Sequence, residues 1–182
     1  MANRHLSRSI VLQSLFEWDF RNESSIDALE VFNRNVLEFA PGQGDFAFME
    51  GLMKGVIEKK RDLDLIIEKA APDWPIDKIS IMDRNILRQG LFELLFSDRS
   101  QVPPKVAINE AIELAKSFGS DTSSKFVNGV LGAVYKEIGE PGKEETTKDK
   151  KKLSGPIPIE YLGGAVVYAK VGEDIYIALV HD

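Results

Sequence analysis

Between Val102 and Leu131 the chain runs proline, apolar stripe, glycine and second apolar stripe, an order that reads as two consecutive helices. Pro103-Pro104 stands where proline is tolerated, at a helix start, because its missing N–H is not needed there. Ala107, Ala111, Leu114 and Phe118 then recur on one face, and Gly119 is well placed as the residue just past a helix end. Ser120 or Asp121 is a candidate cap for the next helix, whose core face reads Val127, Val130, Leu131, Val134 and Ile138.

The helical pattern extends back to the amino terminus. A first helix over roughly Asn3 to Phe20 is broadly apolar after Arg8, as a buried helix is. Ser24 and Asp27 form a capping-box start, followed by Leu29, Phe32, Val36 and Phe39 at helical spacing and a stop at Pro41-Gly42. Phe46, Met49, Met53, Val56 and Ile57 mark a third helix; Leu63, Ile66 and Ile67 mark a short fourth. Pro72 and Pro75 bracket a break around Trp74. Beyond it, Ile79, Met82, Ile86, Leu91, Leu94 and Leu95 define a long amphipathic helix whose polar side carries Arg84, Arg88 and Glu93. Helices in unbroken succession with short connections predict an all-α bundle.

After Ile138 the composition changes. Gly139 to Ser154 holds Pro141-Gly142, Lys143-Glu144-Glu145 and Lys148-Asp149-Lys150-Lys151-Lys152 with almost nothing apolar, so it cannot repay the entropy of ordering. Tyr161 to Lys170 and Asp174 to Val180 are rich in β-branched and aromatic residues around Val171-Gly172-Glu173, a hairpin signal. The expected organisation is therefore a helical domain over 1–138, a charged flexible linker over 139–158 and a β-hairpin stub over 159–182. A hairpin alone is marginal in water, so this segment reads as the opening of something larger.

Composition narrows the function. The 182 residues suffice for one buried core, and 43% apolar with 29% charged content is ordinary for a globular protein. With no cysteine and only His5 and His181, thiolate and histidine-rich metal sites are excluded, and no cofactor is expected. No apolar run spans a bilayer and Met1 to Ile10 lacks a secretory core, which makes the cytoplasm the expected compartment and a membrane partner unexpected. The net charge of −6 is unfavourable for binding nucleic acid, but attraction to phosphate depends on where cations cluster. Arg4, His5 and Arg8 precede the first carboxylate, Glu17. From charge alone, simple solubility is the more economical reading of two arginines near a terminus.

No catalytic set survives inspection. Glu110 and Glu113 share a helix face near Lys116, where glutamates ordinarily face solvent, and no nucleophile or histidine base accompanies them. Gly163-Gly164 precedes a strand rather than a helix, which makes a poor phosphate loop, and the terminal His181-Asp182 lacks a third partner. The last helix is more informative. At about 100° per residue its core stripe centres near Val127 and Val134. Phe126 then falls at one border and Asn128 at the other, with Lys125 pointing away. A ring there is ordinarily core. The alternative is a stacking platform, with the amide reading a base edge and the lysine meeting a phosphate.

Leu87-Arg88, Phe92-Glu93-Leu94, Val102-Pro103, Asn109-Glu110-Ala111-Ile112-Glu113-Leu114-Ala115-Lys116, Phe118-Gly119 and Lys125-Phe126-Val127-Asn128-Gly129-Val130-Leu131 carry a further message. Together they closely resemble the NusB family of transcription antitermination factors, over about Arg8 to Val134. The resemblance implies about seven helices in two three-helix sub-bundles. It implies a non-enzymatic protein that binds the boxA sequence of ribosomal RNA leaders with the ribosomal protein NusE and joins an RNA polymerase antitermination complex to suppress premature termination. A homodimer of the free chain is a further partner state. Carried across by position, RNA contacts fall on Arg4, His5, Arg8, Phe16, Thr122, Ser123, Lys125, Phe126 and Asn128, and the NusE-facing surface on the helix with Arg88 and Glu93. His5 and Leu6 interrupt the cations of the amino terminus, which predicts weaker RNA affinity without the partner.

The tail has its own resemblance. Leu162-Gly163-Gly164-Ala165-Val166-Val167-Tyr168 and Ile175-Tyr176-Ile177-Ala178-Leu179-Val180-His181 are similar to the opening hairpin of Nudix hydrolases, but the metal-binding glutamate helix of that family is absent. Two rivals therefore stand beside the RNA-binding factor: an RNA-targeting adaptor of a truncated Nudix fusion, and a helical scaffold serving only protein pairing.

Overall fold

The computed structural model describes residues 4–21, 27–42, 45–141, 167–171 and 174–178. Seven helices form the first unit: α1 (Arg4–Phe20), α2 (Ala28–Phe39), α3 (Phe46–Glu58), α4 (Lys60–Ala70), α5 (Ile81–Phe96), α6 (Pro104–Phe118) and α7 (Ser123–Glu137). The starts of α2, α3 and α5 follow from side chains that satisfy the unpaired N–H groups of a first turn. The Asp27 carboxylate accepts from the Leu29 N–H at 2.8 Å, Asp45 from Phe48 at 3.1 Å, and the Ser80 hydroxyl from Asp83 at 3.0 Å. Pro104 opens α6 as its first residue. Of the expected capping box before α2, Asp27 is the cap, while Ser24 lies outside the described residues.

Three starts and stops differ from the sequence expectation. Ile79 is buried but precedes the Ser80 cap, so α5 begins two residues later than its apolar pattern. Neither Ser120 nor Asp121 caps α7; the Ser120 N–H instead donates to the Ser123 hydroxyl at 2.8 Å, and Thr122 is the capping position. Gly119 ends α6 with φ −91°, outside the left-handed region. Its need for glycine is steric: a Cβ there would lie 2.4 Å from Ser123 Cβ and 2.7 Å from the Ala115 carbonyl.

α1, α2 and α3 pack on one another, as do α5, α6 and α7, with α4 lying against α3, α5 and α7. α5 is the common element, touching α1, α3, α4, α6 and α7. Leu12, Leu15, Phe32, Met49, Met53, Leu63, Ile67, Ile86, Leu87, Leu91 and Leu94 are fully buried between the layers. Each such side chain removed from water contributes about 1.5–3 kcal/mol, so the core rather than local propensity holds the helices.

The helical unit extends through Pro141, whose carbonyl accepts from the Tyr135 hydroxyl at 3.1 Å. The second unit, 142–182, contains an antiparallel pair, β1 (Val167–Val171) and β2 (Asp174–Ala178), with Val167 opposite Ala178 and Val171 opposite Asp174. Val171, expected in the turn, is thus the last paired residue of β1. Residues 142–158 of the linker expected over 139–158, and residues 159–166, 172–173 and 179–182 of the expected hairpin stub, lie outside the described residues.

Candidate nucleic-acid interface

The amino terminus of α1 does not present all its cations to solvent. Arg8 is 3% exposed; its Nε and Nη2 donate to the Glu93 carboxylate at 2.6–3.0 Å and its Nη1 lies 3.4 Å from Glu110. Arg8 therefore acts as an internal tie between α1, α5 and α6, which corrects its expected role in meeting phosphate. Arg4 is one-third exposed; it donates to the Gln101 carbonyl at 3.0 Å and sits 4.8 Å above the Phe48 ring. Arg8 is 5.1 Å from the centroid of that ring, so Phe48 underlies both guanidiniums. His5 remains exposed, with Nδ1 3.0 Å from Glu110 Oε2. Glu110, read from sequence as solvent-facing, is the carboxylate that gathers His5 and Arg8, whereas Glu113 is exposed and pairs with Lys116.

α5 gives a second correction. Its polar residues face inward because five other helices surround it. Arg88 is 3% and Glu93 2% exposed, so neither is available as a direct partner contact. Arg88 donates to Asp64 at 2.6 and 2.9 Å and to Asp19 at 2.8 Å; Asp19 also accepts from Arg84 Nε at 2.7 Å and Asn85 at 2.8 Å. This network pins α1, α4 and α5 together. Burial pushes the Asp19 carboxyl upward, but its arginine and asparagine donors outweigh that and hold it below the usual aspartate range. For Glu93 burial wins over the Arg8 pair, and the carboxyl is raised.

Phe16 is half-buried and stacks on the exposed Phe20, with ring centroids 5.9 Å apart. At the start of α7 the expected residues divide by face. Ser123 is buried and bonded to Ser120, which corrects its expected RNA contact. Thr122, Lys125 and Asn128 are exposed, and Phe126 is half-buried. Among the described residues Lys125 forms no ion pair. The Phe126 ring meets Trp74 of the α4–α5 connection edge-on, with centroids 6.0 Å apart, and Trp74 is 53% exposed. Trp74 and Glu110 adjoin these groups without being among the residues expected there from sequence. The proline bracket around Trp74 was a visible signal, whereas nothing local marks Glu110 as the partner of α1.

Half-exposed rings beside an exposed lysine and amide, on a bundle of helices, are the kinds of group with which nucleic-acid-binding proteins meet bases and phosphates. No cluster of His, Asp or Glu among the described residues is arranged to hold a metal, and none of the described helices is long and apolar enough to cross a membrane. Residues 5–136 match the NusB family, and the chain belongs to it. The transcription antitermination protein NusB of Chloroflexus aggregans is 44% identical over 133 residues, 73% of this chain and 87% of that protein. That of Roseiflexus castenholzii is 44% identical over 140 residues, 77% of this chain and 96% of the relative. Among solved structures, T. maritima NusB superposes with a TM-score of 0.65 at 33% identity, covering 75% of this chain and 94% of that one. A chain from the crystal structure of antitermination factors NusB and NusE in complex with dsRNA superposes with a TM-score of 0.63 at 29% identity, covering 73% and 96%.

Proposed function

We propose that this chain is a non-enzymatic transcription antitermination factor that binds boxA-type leader RNA of ribosomal operons jointly with the ribosomal protein NusE. In the cytoplasm the complex joins RNA polymerase and suppresses premature termination. The observation that carries this reading is the surface at the start of α7, where Lys125 and Asn128 are exposed on either side of the half-exposed Phe126. Lys125 meets the phosphate backbone, Asn128 reads a base edge, and Phe126 stacks on an unpaired base. Thr122 supplies a hydroxyl at the same end of the helix.

Arg4 contributes positive charge at the start of α1, His5 offers an exposed imidazole beside it, and Phe16 is the aromatic of that helix. Arg8 serves them indirectly, by holding α1 against α5 and α6. With one interior arginine and an overall charge of −6, the chain attracts RNA weakly on its own, and NusE supplies the remainder. Support comes from family membership and from the structural likeness to a chain crystallised with NusE and dsRNA. The test is co-purification with NusE followed by a boxA gel shift against a scrambled RNA. A shift that does not discriminate between the two RNAs, or fails to tighten with NusE, rejects the proposal.

A further inference from the structure

The α7 surface does not stop at α7. Trp74 lies between Pro72 and Pro75, and its backbone N–H closes a turn onto the Ala71 carbonyl at 2.9 Å. The flanking prolines restrict φ, so this short connection presents the indole from a stiff support. Its edge contact with Phe126 is at 61° between ring planes, an arrangement in which the two rings do not cover each other's faces as a parallel stack would. Leaving so large an apolar ring half in water is unfavourable, and a purely structural role favours enclosing it. The neighbouring charge is also of the right kind, since the exposed Lys125 stands next to Phe126 in sequence and has no ion pair among the described residues.

We propose that Trp74 is a second nucleobase-stacking residue of this interface, receiving an unpaired base of the bound RNA beside the one taken by Phe126. The inference rests on the RNA-binding reading above and extends it from one helix to the α4–α5 connection. An indole has the largest π-face of any side chain and stacks on every base, so Trp74 adds affinity for single-stranded RNA and distinguishes it from base-paired RNA. The alternative is that Trp74 only covers the junction between α4 and α7.

Fluorescence separates the two directly. The chain has two tryptophans, and Trp18 is 8% exposed, so emission that responds to a bound ligand reports on Trp74. Titration with a single-stranded boxA-type RNA is expected to quench it, while heparin, which offers charge without bases, leaves it unchanged. Trp74→Leu is expected to weaken binding roughly tenfold at unchanged far-UV circular dichroism, and Trp74→Phe to restore most of the loss. If the RNA binds with no quenching and Trp74→Leu binds as tightly as the parent, Trp74 is a cover and the inference falls while the RNA-binding reading stands. Quenching of equal size by heparin likewise overturns it. If no RNA binds in gel shift even with NusE present, both readings fall.

Discussion

Phe126 and Arg8 illustrate opposite fates for residues expected in one interface. Phe126 keeps part of its ring accessible, so Phe126→Ala is expected to weaken boxA binding by roughly 5- to 150-fold with helicity unchanged, as an equilibrium binding titration would reveal. Arg8 is enclosed with Glu93 and Glu110. Arg8→Ala leaves a buried carboxylate uncompensated and is expected to cost about 3–5 kcal/mol of folding stability, seen as a lower thermal midpoint. The RNA affinity of the protein that remains folded should change less than for Phe126→Ala. A large affinity loss without a stability loss would return Arg8 to the phosphate contacts.

Within and between helices, close approach and charge set the tolerances. A Cβ on Gly55 would lie 2.0 Å from the Phe92 ring, so α3 and α5 meet at a point that admits no methyl group. Gly55→Ala is expected to destabilise by about 1–3 kcal/mol through overpacking, read by denaturant midpoint. The Asp19 network ties α1, α4 and α5 and makes stability acid-sensitive. Because the folded carboxyl titrates below its unfolded value, its contribution is complete above the ordinary aspartate range and disappears as pH falls through the depressed value. Glu93 has the opposite sign: its folded carboxyl is raised, so its contribution is present in acid and declines as pH rises through that value. Asp19→Asn is therefore expected to lower stability at neutral pH and to flatten its fall in acid; an acid limb of unchanged steepness would show that other carboxylates dominate. α5 also explains why pattern reading went astray here. Arg84, Arg88 and Glu93 give it a polar side by periodicity, yet α1, α3 and α4 cover what α6 and α7 leave open.

For the molecule as a whole, two expectations follow from a helical unit whose core is built from its own residues. A chain ending at Pro141 should unfold cooperatively with the same thermal midpoint as the full chain, since among the described residues the buried ones run from Ser7 to Val134. RNA affinity should fall as salt rises, with a shallow slope given the few exposed cations at the interface; an affinity flat between low and moderate salt would eliminate phosphate capture. The sequence by itself determined the helices, most of their ends, the bundle class and the family, because apolar period, caps and breakers act within a few residues and the Asn109–Lys116 and Lys125–Leu131 motifs are contiguous. Tertiary structure alone decided which polar groups remain outside. Periodicity assigns a residue to a face of its own helix, but not whether a helix distant in sequence covers that face. Thus Arg8, Arg88 and Glu93 went inward to pair across 24–85 positions, while Trp74 came to lie beside Phe126.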